Sequence, residues 1–593
     1  MSAQSNEKQQ HFIAANQLPQ RWQGRDSFAI FASDFGDGSA FLNTWQLWQQ
    51  DTQRSQRLHY LVFTNPSDLS SMSEVSGSLQ LLRDELLAQW PAATSGFHRL
   101  YLQRGQVMLT LIFGDMDKML TEVTGPIDAF YLNDATDWTT SQCKQLWRLC
   151  KTDSMLVSHN TTLAPQLDAA GFSSTLFTQD NTSYLIAHCQ RPPKTTIAKP
   201  KTQHAIILGA GMAGCAVAAS LTSRNWKITL IDAQASIASQ ASGNHIGLCH
   251  PVFSLDDNFQ ARLSRAGFAV TQQKLDALLA AQQAVHFARD GHFQIAKDAA
   301  AAQLMQAILA AQTHPNSLVQ WLSSAECLRA LDINCEFGGY WFPQGMWANP
   351  ASLCNGYINA GIENISLQLN TYIKSIQYAD QLWHLYDADN HLITRSETLI
   401  LANATDARRL LPSLESALSA SLRSVTKLAS AQLNTTLHSI SGLTYLTAEF
   451  AGWRCAGASL VNAADPASAE QNNLNDLAKL LGQNAISPSL HTETRLCFRP
   501  NSSDRLPLVG AIPNTSDIQH AVHQLFHIPR VTGLYGVLGF GSRGLTWHAL
   551  AAEVLACQLN AEPQGIERSL LAAIDPARFA LRVLRKKTSA PVQ

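Results

Sequence analysis

One stretch constrains this chain more than any other: Ala205 to Asp232, reading AIILGAGMAGCAVAASLTSRNWKITLID. It opens on a short apolar run, Ala205 to Leu208, of the kind that makes a buried parallel strand. Gly209, Gly211 and Gly214 follow at G-x-G-x-x-G spacing, and small or apolar residues continue from Cys215 to Leu221. Such a run suits a helix lying close on a sheet. A second apolar run, Ile228 to Ile231, ends on Asp232. Each position has a physical task. Gly209 permits a tight turn, Gly211 lets the backbone approach a pyrophosphate, and Gly214 lets helix and strand pack closely. The helix N-terminus offers free N–H groups and the positive end of a dipole to phosphates. Asp232 can accept hydrogen bonds from a pair of ribose hydroxyls. Glycine turns are common on their own; the two flanking strands and the acidic residue at this distance make the stretch a dinucleotide-binding unit.

A chain of 593 residues has room for at least two domains with full cores. Hydrophobic content of 46% with 15% charged residues describes a folded globular protein. No apolar run reaches the roughly 18–20 residues of a membrane helix, so no membrane partner is expected. The N-terminus, MSAQSNEKQQHF, has neither the basic nor the apolar region of a signal peptide. Eleven cysteines are scattered without a C-x-x-C pair, which argues against a disulfide framework and a zinc site. A cytoplasmic protein without a metal is the expectation. The formal net charge of −2 gives no global attraction to nucleic acid, so any such contact needs a local basic patch.

Residues 1–189 alternate strand and helix signals. Phe28 to Phe31, Leu58 to Phe63, Val107 to Phe113 and Ile127 to Leu132 read as strands, and Phe41 to Trp48 as an amphipathic helix. This is the plan of a nucleotide-binding sheet. The turn Asp34-Phe35-Gly36-Asp37-Gly38 carries two aspartates that would repel phosphate. It suits a ligand without phosphates, such as S-adenosylmethionine, or no ligand. Residues 190–203, rich in proline and lysine, read as a linker. Residues 204–593 form the second domain. Within it, Phe259 to Val285 is helical, Thr398 to Ala404 is a strand returning to the dinucleotide sheet, and Gly533 to Phe540 leads through Gly541-Ser542-Arg543-Gly544 into a helix.

With these residues in view, the chain resembles the bifunctional enzymes of tRNA 5-methylaminomethyl-2-thiouridine biosynthesis. They join an N-terminal S-adenosylmethionine-dependent methyltransferase to a C-terminal FAD-dependent oxidoreductase of the D-amino-acid oxidase type. The resemblance rests on Gly209 to Gly214, on Ala241-Ser242-Gly243-Asn244 with Gly247 and Pro251, and on Phe342-Pro343-Gln344-Gly345. It continues in Leu506 to Gly510 and Gly541 to Gly544. It implies an α/β fold throughout: a Rossmann-like methyltransferase-type domain, then an FAD-binding Rossmann domain with a mixed α+β substrate domain. It implies further that Ser242, Asn244 and Gly247 lie along the flavin, and that Gly541, Ser542 and Gly544 meet its pyrimidine edge. A helix N-terminus there would stabilise the negative charge of a reduced flavin.

The N-terminal half departs from the pattern. The family's cofactor loop, E-T-G-F-G-T-G, stands here as Ala32-Ser33-Asp34-Phe35-Gly36-Asp37-Gly38. The acidic residue due after the second strand is Thr64. The motif that supplies the catalytic aspartate, L-D-G-F-A-P, reads Leu132-Asn133-Asp134-Ala135-Thr136-Asp137. The expectation is a methyltransferase fold without methyltransferase activity.

For the oxidoreductase half, the resemblance implies a tRNA wobble uridine carrying a carboxymethylaminomethyl group, oxidised at its glycine-like CH2. A carboxylate calls for a planar bidentate cation. Arg499 matches a family arginine, and Arg543 is the second candidate. His245, His491 and His548 are the histidines considered as base. Contact with tRNA is expected from the tail, with Arg578, Arg582, Arg585, Lys586 and Lys587, and from linker cations Arg191, Lys194, Lys199 and Lys201. A wobble base in a flavin pocket must be flipped out of its stack. Two other readings share these residues: a flavin oxidase of a small N-alkylglycine or D-amino acid, and an N-terminal region that only docks RNA.

Overall fold

The computed structural model describes residues 10–72, 75, 77–133, 137–179, 182–193, 199–433, 438–461, 465–481, 490–518 and 522–589. Two compact units emerge. The first comprises Met1–Lys199 together with Cys557–Leu571; the second comprises Pro200–Ala556 and Ala572–Gln593. The expected division was a single cut in a linker at 190–203, which leaves the segment 557–571 in the second domain.

The first unit is built on an eight-stranded sheet in the order Gly96–Leu102, Val107–Phe113, Arg57–Thr64, Ser27–Ala32, Ile127–Leu132, Cys150–Ser158, Thr182–Cys189, Phe172–Gln179. The central strands pair in parallel, and antiparallel strands close both edges. Both faces of the centre are covered, which is why these strands are mostly apolar, with a few buried polar residues such as His59 and Asp128. Alternation divides them between two cores: Phe28, Ile30 and Ala32 pack with Trp22, Trp45 and Trp48, and Ala29 and Phe31 pack with Phe63, Phe130 and Trp138. The segment 557–571 is tied into this unit by polar contacts no local pattern announces. Arg99 donates through Nη2 to the Pro563 carbonyl at 2.8 Å and through Nε to Thr110 Oγ1 at 3.0 Å. His59 and Glu562, both buried, meet at 3.6 Å.

The second unit contains a six-stranded sheet in the order Ile365–Gln368, Lys227–Ile231, His204–Leu208, Thr398–Leu401, Arg530–Leu538, Leu508–Pro513. All neighbours pair in parallel except the last two. The helix Met212–Thr222 follows the strand His204–Leu208 and is buried on nearly all sides, Cys215, Val217 and Leu221 among the covered residues. A separate eight-stranded sheet runs Gln320–Leu322, Gly339–Phe342, His292–Ile295, Ser439–Ser441, Tyr445–Leu446, Trp453–Leu460, Leu418–Ala429, Thr492–Ser502. It supplies one wall of the cavity described next. Among the described residues no helix is long and apolar enough to cross a membrane.

Candidate active site

The cradle begins at the tight turn after the strand His204–Leu208. Gly209 holds φ +104°, a conformation that side chains disfavour. A Cβ on Gly214 would stand 1.8 Å from the Gly209 carbonyl oxygen, so only glycine lets the helix start this close to the strand. Gly211 is the N-cap of Met212–Thr222 and caps nothing with a side chain. Asp232 ties the turn to the next strand: Oδ2 accepts from the Ala210 N–H at 2.7 Å and Oδ1 from the Gln234 N–H at 2.8 Å.

These elements border a cavity of about 830 Å³. Gly209, Gly211, Asp232, Ser242, Asn244, Gly247, Gly541, Ser542, Gly544, Arg499 and Arg543 all line it. Of the three glycines of the G-x-G-x-x-G turn, Gly214 alone does not; it acts through packing. Ser242 Oγ accepts from the Met212 N–H at 3.0 Å, so the Ala241–Gly243 turn is fastened to the helix start. Arg495 fastens the same turn from the other side, donating to the carbonyls of Gly243 at 2.5 Å, of Gln240 at 2.7 Å, and of Ser239. No local pattern signals that role, since Arg495 lies more than two hundred positions from the turn it holds.

Arg499 sits on Thr492–Ser502, opposite Ser421 on Leu418–Ala429. Its Nε is buried without a partner. Burial pushes the Tyr445 phenol up, and the nearby Arg499 charge draws it back, which places the two side chains at the same wall. Burial holds the Arg543 guanidinium below its usual value, and the thiol of Cys249 is the opposing influence. Among the described residues, neither Arg499 nor Arg543 has a carboxylate within ion-pair distance, so neither is held in a structural salt bridge. Arg423 is a third cation on this wall, two residues along the strand from Ser421, and donates to the Ala458 carbonyl at 3.3 Å.

The three histidines picked from the sequence are elsewhere. His548 is fully buried against Tyr357 Oη at 2.9 Å and the Leu545 carbonyl, and burial pushes it down to about 4. His245 contacts the Phe450 carbonyl at 2.9 Å, and His491 packs on Trp453. None of them lines the cavity; His250 does. The expected cationic tail is also corrected in part. Arg578 and Arg582 both bind Asp504, at 2.8 Å each, and Arg585 donates to the His523 carbonyl at 2.8 Å. The helix Arg578–Ser589 spends these cations on its own unit because Asp504 lies beneath it. The side chains of Lys194, Lys586 and Lys587 lie outside the described residues. Asp387, Asp389 and His391 come close at an exposed hairpin turn, where Asp387 caps the N–H groups of the other two.

Comparison with known proteins agrees with this geometry. Residues 204–558 match the family described as FAD dependent oxidoreductase, and residues 78–185 match that described as S-adenosyl-L-methionine-dependent methyltransferase. Solved structures with the same fold over 63% of this chain include a glycine oxidase from Geobacillus kaustophilus (TM-score 0.53, 17% identity, 98% of that chain). An iminodiacetate oxidase from Chelativorans sp. BNC1 covers the same share (TM-score 0.51, 20% identity, 98% of that chain). Two relatives named tRNA 5-methylaminomethyl-2-thiouridine biosynthesis bifunctional protein MnmC, from Azoarcus sp. (strain BH72) and Ralstonia nicotianae, are each 34% identical over 97% of this chain and 93% of their own length. With both family models in order along one chain and near full-length similarity to these relatives, the chain belongs to the MnmC family of bifunctional proteins.

Proposed function

We propose that this protein removes the carboxymethyl group from 5-carboxymethylaminomethyl-(2-thio)uridine at the tRNA wobble position, leaving the 5-aminomethyl form and glyoxylate. The observation that carries the reading is the pair of arginines without carboxylate partners, Arg499 and Arg543, facing the same cavity as the dinucleotide cradle. The residues fit FAD. The turn at Gly209 and the glycine-capped start of the helix Met212–Thr222 suit a pyrophosphate, and Asp232 suits a ribose hydroxyl pair. Ser242, Asn244 and Gly247 lie along one side of the cavity, and Gly541, Ser542 and Gly544 at the start of another helix. When bound, FAD supplies the acceptor for one hydride, that is, two electrons and a proton.

The chain's part is position and charge. Arg499 binds the substrate carboxylate as a bidentate fork, with Arg543 as a second cation. Loss of hydride from the CH2 and of the proton from nitrogen leaves an imine. Water adds to its carbon, and the C–N bond breaks to release glyoxylate and the primary amine. The tRNA is the macromolecular partner, its wobble base flipped into the cavity, in a cytoplasmic setting. Incubating the FAD-loaded protein with tRNA carrying the modified uridine, then digesting to nucleosides, tests the proposal. Aminomethyl-uridine and glyoxylate should appear in equal amounts. Oxidation of free N-methylglycine with the tRNA untouched would replace this reading with a small-molecule oxidase.

A further inference from the structure

The cavity contains an acceptor among its cations. His250 follows the short strand Gly247–Cys249 and lines the cavity. Its Nδ1 lies 2.9 Å from the Pro251 carbonyl oxygen. A carbonyl only accepts, so Nδ1 carries the proton and Nε2 of the neutral ring carries a lone pair. Among the described residues Nε2 has no hydrogen-bond partner, and it is not enclosed by protein. The ring is held by two neighbouring rings that also lie close to each other, at 6.0 Å. His292 stacks on it with centroids 4.4 Å apart and planes 14° apart, and Phe342 packs at 5.0 Å. His292 is fixed in turn by Ser441 Oγ at 2.8 Å, and Ser441 also lines the cavity.

We propose that His250 Nε2 accepts a hydrogen bond from the N–H of the substrate's secondary amine, so that this residue reads the nitrogen while the arginines read the carboxylate. The inference rests on the oxidase reading above. An N-alkylglycine presents an anion and an N–H donor two bonds apart. Arginine can bind only the first, because it has no lone pair to offer. The N–H acquires positive charge as hydride leaves the neighbouring carbon, so a hydrogen bond to a fixed acceptor strengthens toward the transition state. Burial, then the charge of Arg543, push His250 down to about 4, and burial with His250 alongside keeps His292 well below its usual value. Both rings therefore stay neutral at physiological pH and the lone pair remains available.

The test uses full-length protein loaded with FAD and mixed without oxygen with tRNA bearing the carboxymethylaminomethyl uridine, following loss of the visible flavin absorbance. His250→Gln keeps an acceptor near the Nε2 position; His250→Leu removes it at similar size. The Gln variant should bleach within about threefold of the parent rate and the Leu variant about tenfold to a hundredfold more slowly, the range for one such hydrogen bond. A second arm titrates (methylthio)acetate, which keeps the carboxylate and puts sulfur in place of N–H, and reads the perturbed spectrum of oxidised flavin. Its Kd should agree within about twofold across parent and variants, because carboxylate recognition is left intact. A Leu variant that bleaches at the parent rate overturns the assignment. So does loss of (methylthio)acetate binding in step with bleaching, which would mark a structural role. A parent protein that holds FAD and is not bleached by the tRNA overturns the oxidase reading, and this inference with it.

Discussion

Asn133 donates through Nδ2 to both carboxylate oxygens of Asp34, at 2.8 and 3.0 Å. By the resemblance read from the sequence, Asn133 stands where the family's catalytic aspartate is expected, and Asp34 where a cofactor-loop glycine is. The two departures therefore satisfy each other. Ser33 Oγ joins them, accepting from the Asn133 N–H at 2.9 Å and donating to Asp34 at 3.2 Å. Thr64, where an acidic residue is due, donates to Asp68 at 2.9 Å. Asp134 lies outside the described residues.

The expected outcome is that the protein stops at the aminomethyl nucleoside. Incubation with aminomethyl-uridine tRNA and labelled S-adenosylmethionine should transfer label at least about 10²-fold more slowly than oxidation proceeds, the cost of losing one positioned catalytic group. Stoichiometric labelling at the oxidation rate would defeat this prediction. Asn133→Asp should not rescue transfer. Two carboxylates at this distance raise the apparent pKa of the pair. Folded-state values raised above the unfolded ones mean that the variant loses stability relative to the parent as pH rises through the carboxyl range, which urea titrations at pH 5 and pH 8 would register.

Gly211 and Gly214 should fail differently when replaced. A Cβ at Gly211 meets only Ser242 Oγ, at 3.2 Å, and faces the cavity. Gly211→Val should therefore purify folded but colourless. Gly214→Val drives a side chain into the Gly209 carbonyl and should cost about 3 kcal/mol or more, enough to lower the melting temperature by several degrees. A yellow Gly211→Val protein would remove the pyrophosphate from this position.

Arg499→Lys should lower kcat/KM on the tRNA substrate by about tenfold to a hundredfold with FAD still bound, because a point charge cannot reproduce the two-pronged contact. Flavin content read from the absorbance spectrum separates the two effects. Full activity in the Lys variant would assign the carboxylate to another cation, with Arg543 next to test.

Glu553 supplies a pH signature. Burial alone would push its carboxyl up, but Lys274 at 2.9 Å and Arg224 at 3.1 Å outweigh that and hold it well below the usual carboxylate range. A carboxyl depressed in the folded state stabilises the protein above its unfolded value near 4.3, and that stabilisation is lost as pH falls below it. Glu553→Gln should cost about 3 kcal/mol at pH 7, since it removes the carboxylate facing buried Arg224 and partly buried Lys274, and should flatten the acid limb of a stability-against-pH curve. An unchanged acid limb would show that other carboxylates govern it.

Arg578→Ala should act on stability, with tRNA affinity unchanged. Its guanidinium makes two hydrogen bonds to Asp504, at 2.8 and 2.9 Å, and a third to the Leu506 carbonyl at 2.9 Å. The expected loss is about 2 kcal/mol by denaturant titration. A filter-binding measurement showing a reduced salt slope would instead return this residue to the RNA surface.

What the sequence determined by itself is local. The apolar runs at 107–113 and 127–132 became strands with those bounds, because segments covered on both faces stay largely apolar to their ends, Thr110 and Asp128 being the polar exceptions buried within them. The G-x-G-x-x-G turn, the helix after it and Asp232 were legible for a similar reason, since turn, helix start and strand end lie within thirty residues and steric rules apply directly. Tertiary structure alone decided which distant groups meet. Strand pairing set Arg499 opposite Ser421, and it brought His292 and Ser441 together on neighbouring strands under His250. It put Asp504 beneath Arg578 and so withdrew a cation that helical spacing had offered to RNA. It also assigned residues 557–571 to the first unit, through Arg99 and His59 on the first unit's own strands. Histidine and arginine carry no periodicity of their own. Their roles depend on partners that pairing and packing deliver from far along the chain, and a linear pattern contains no record of that pairing.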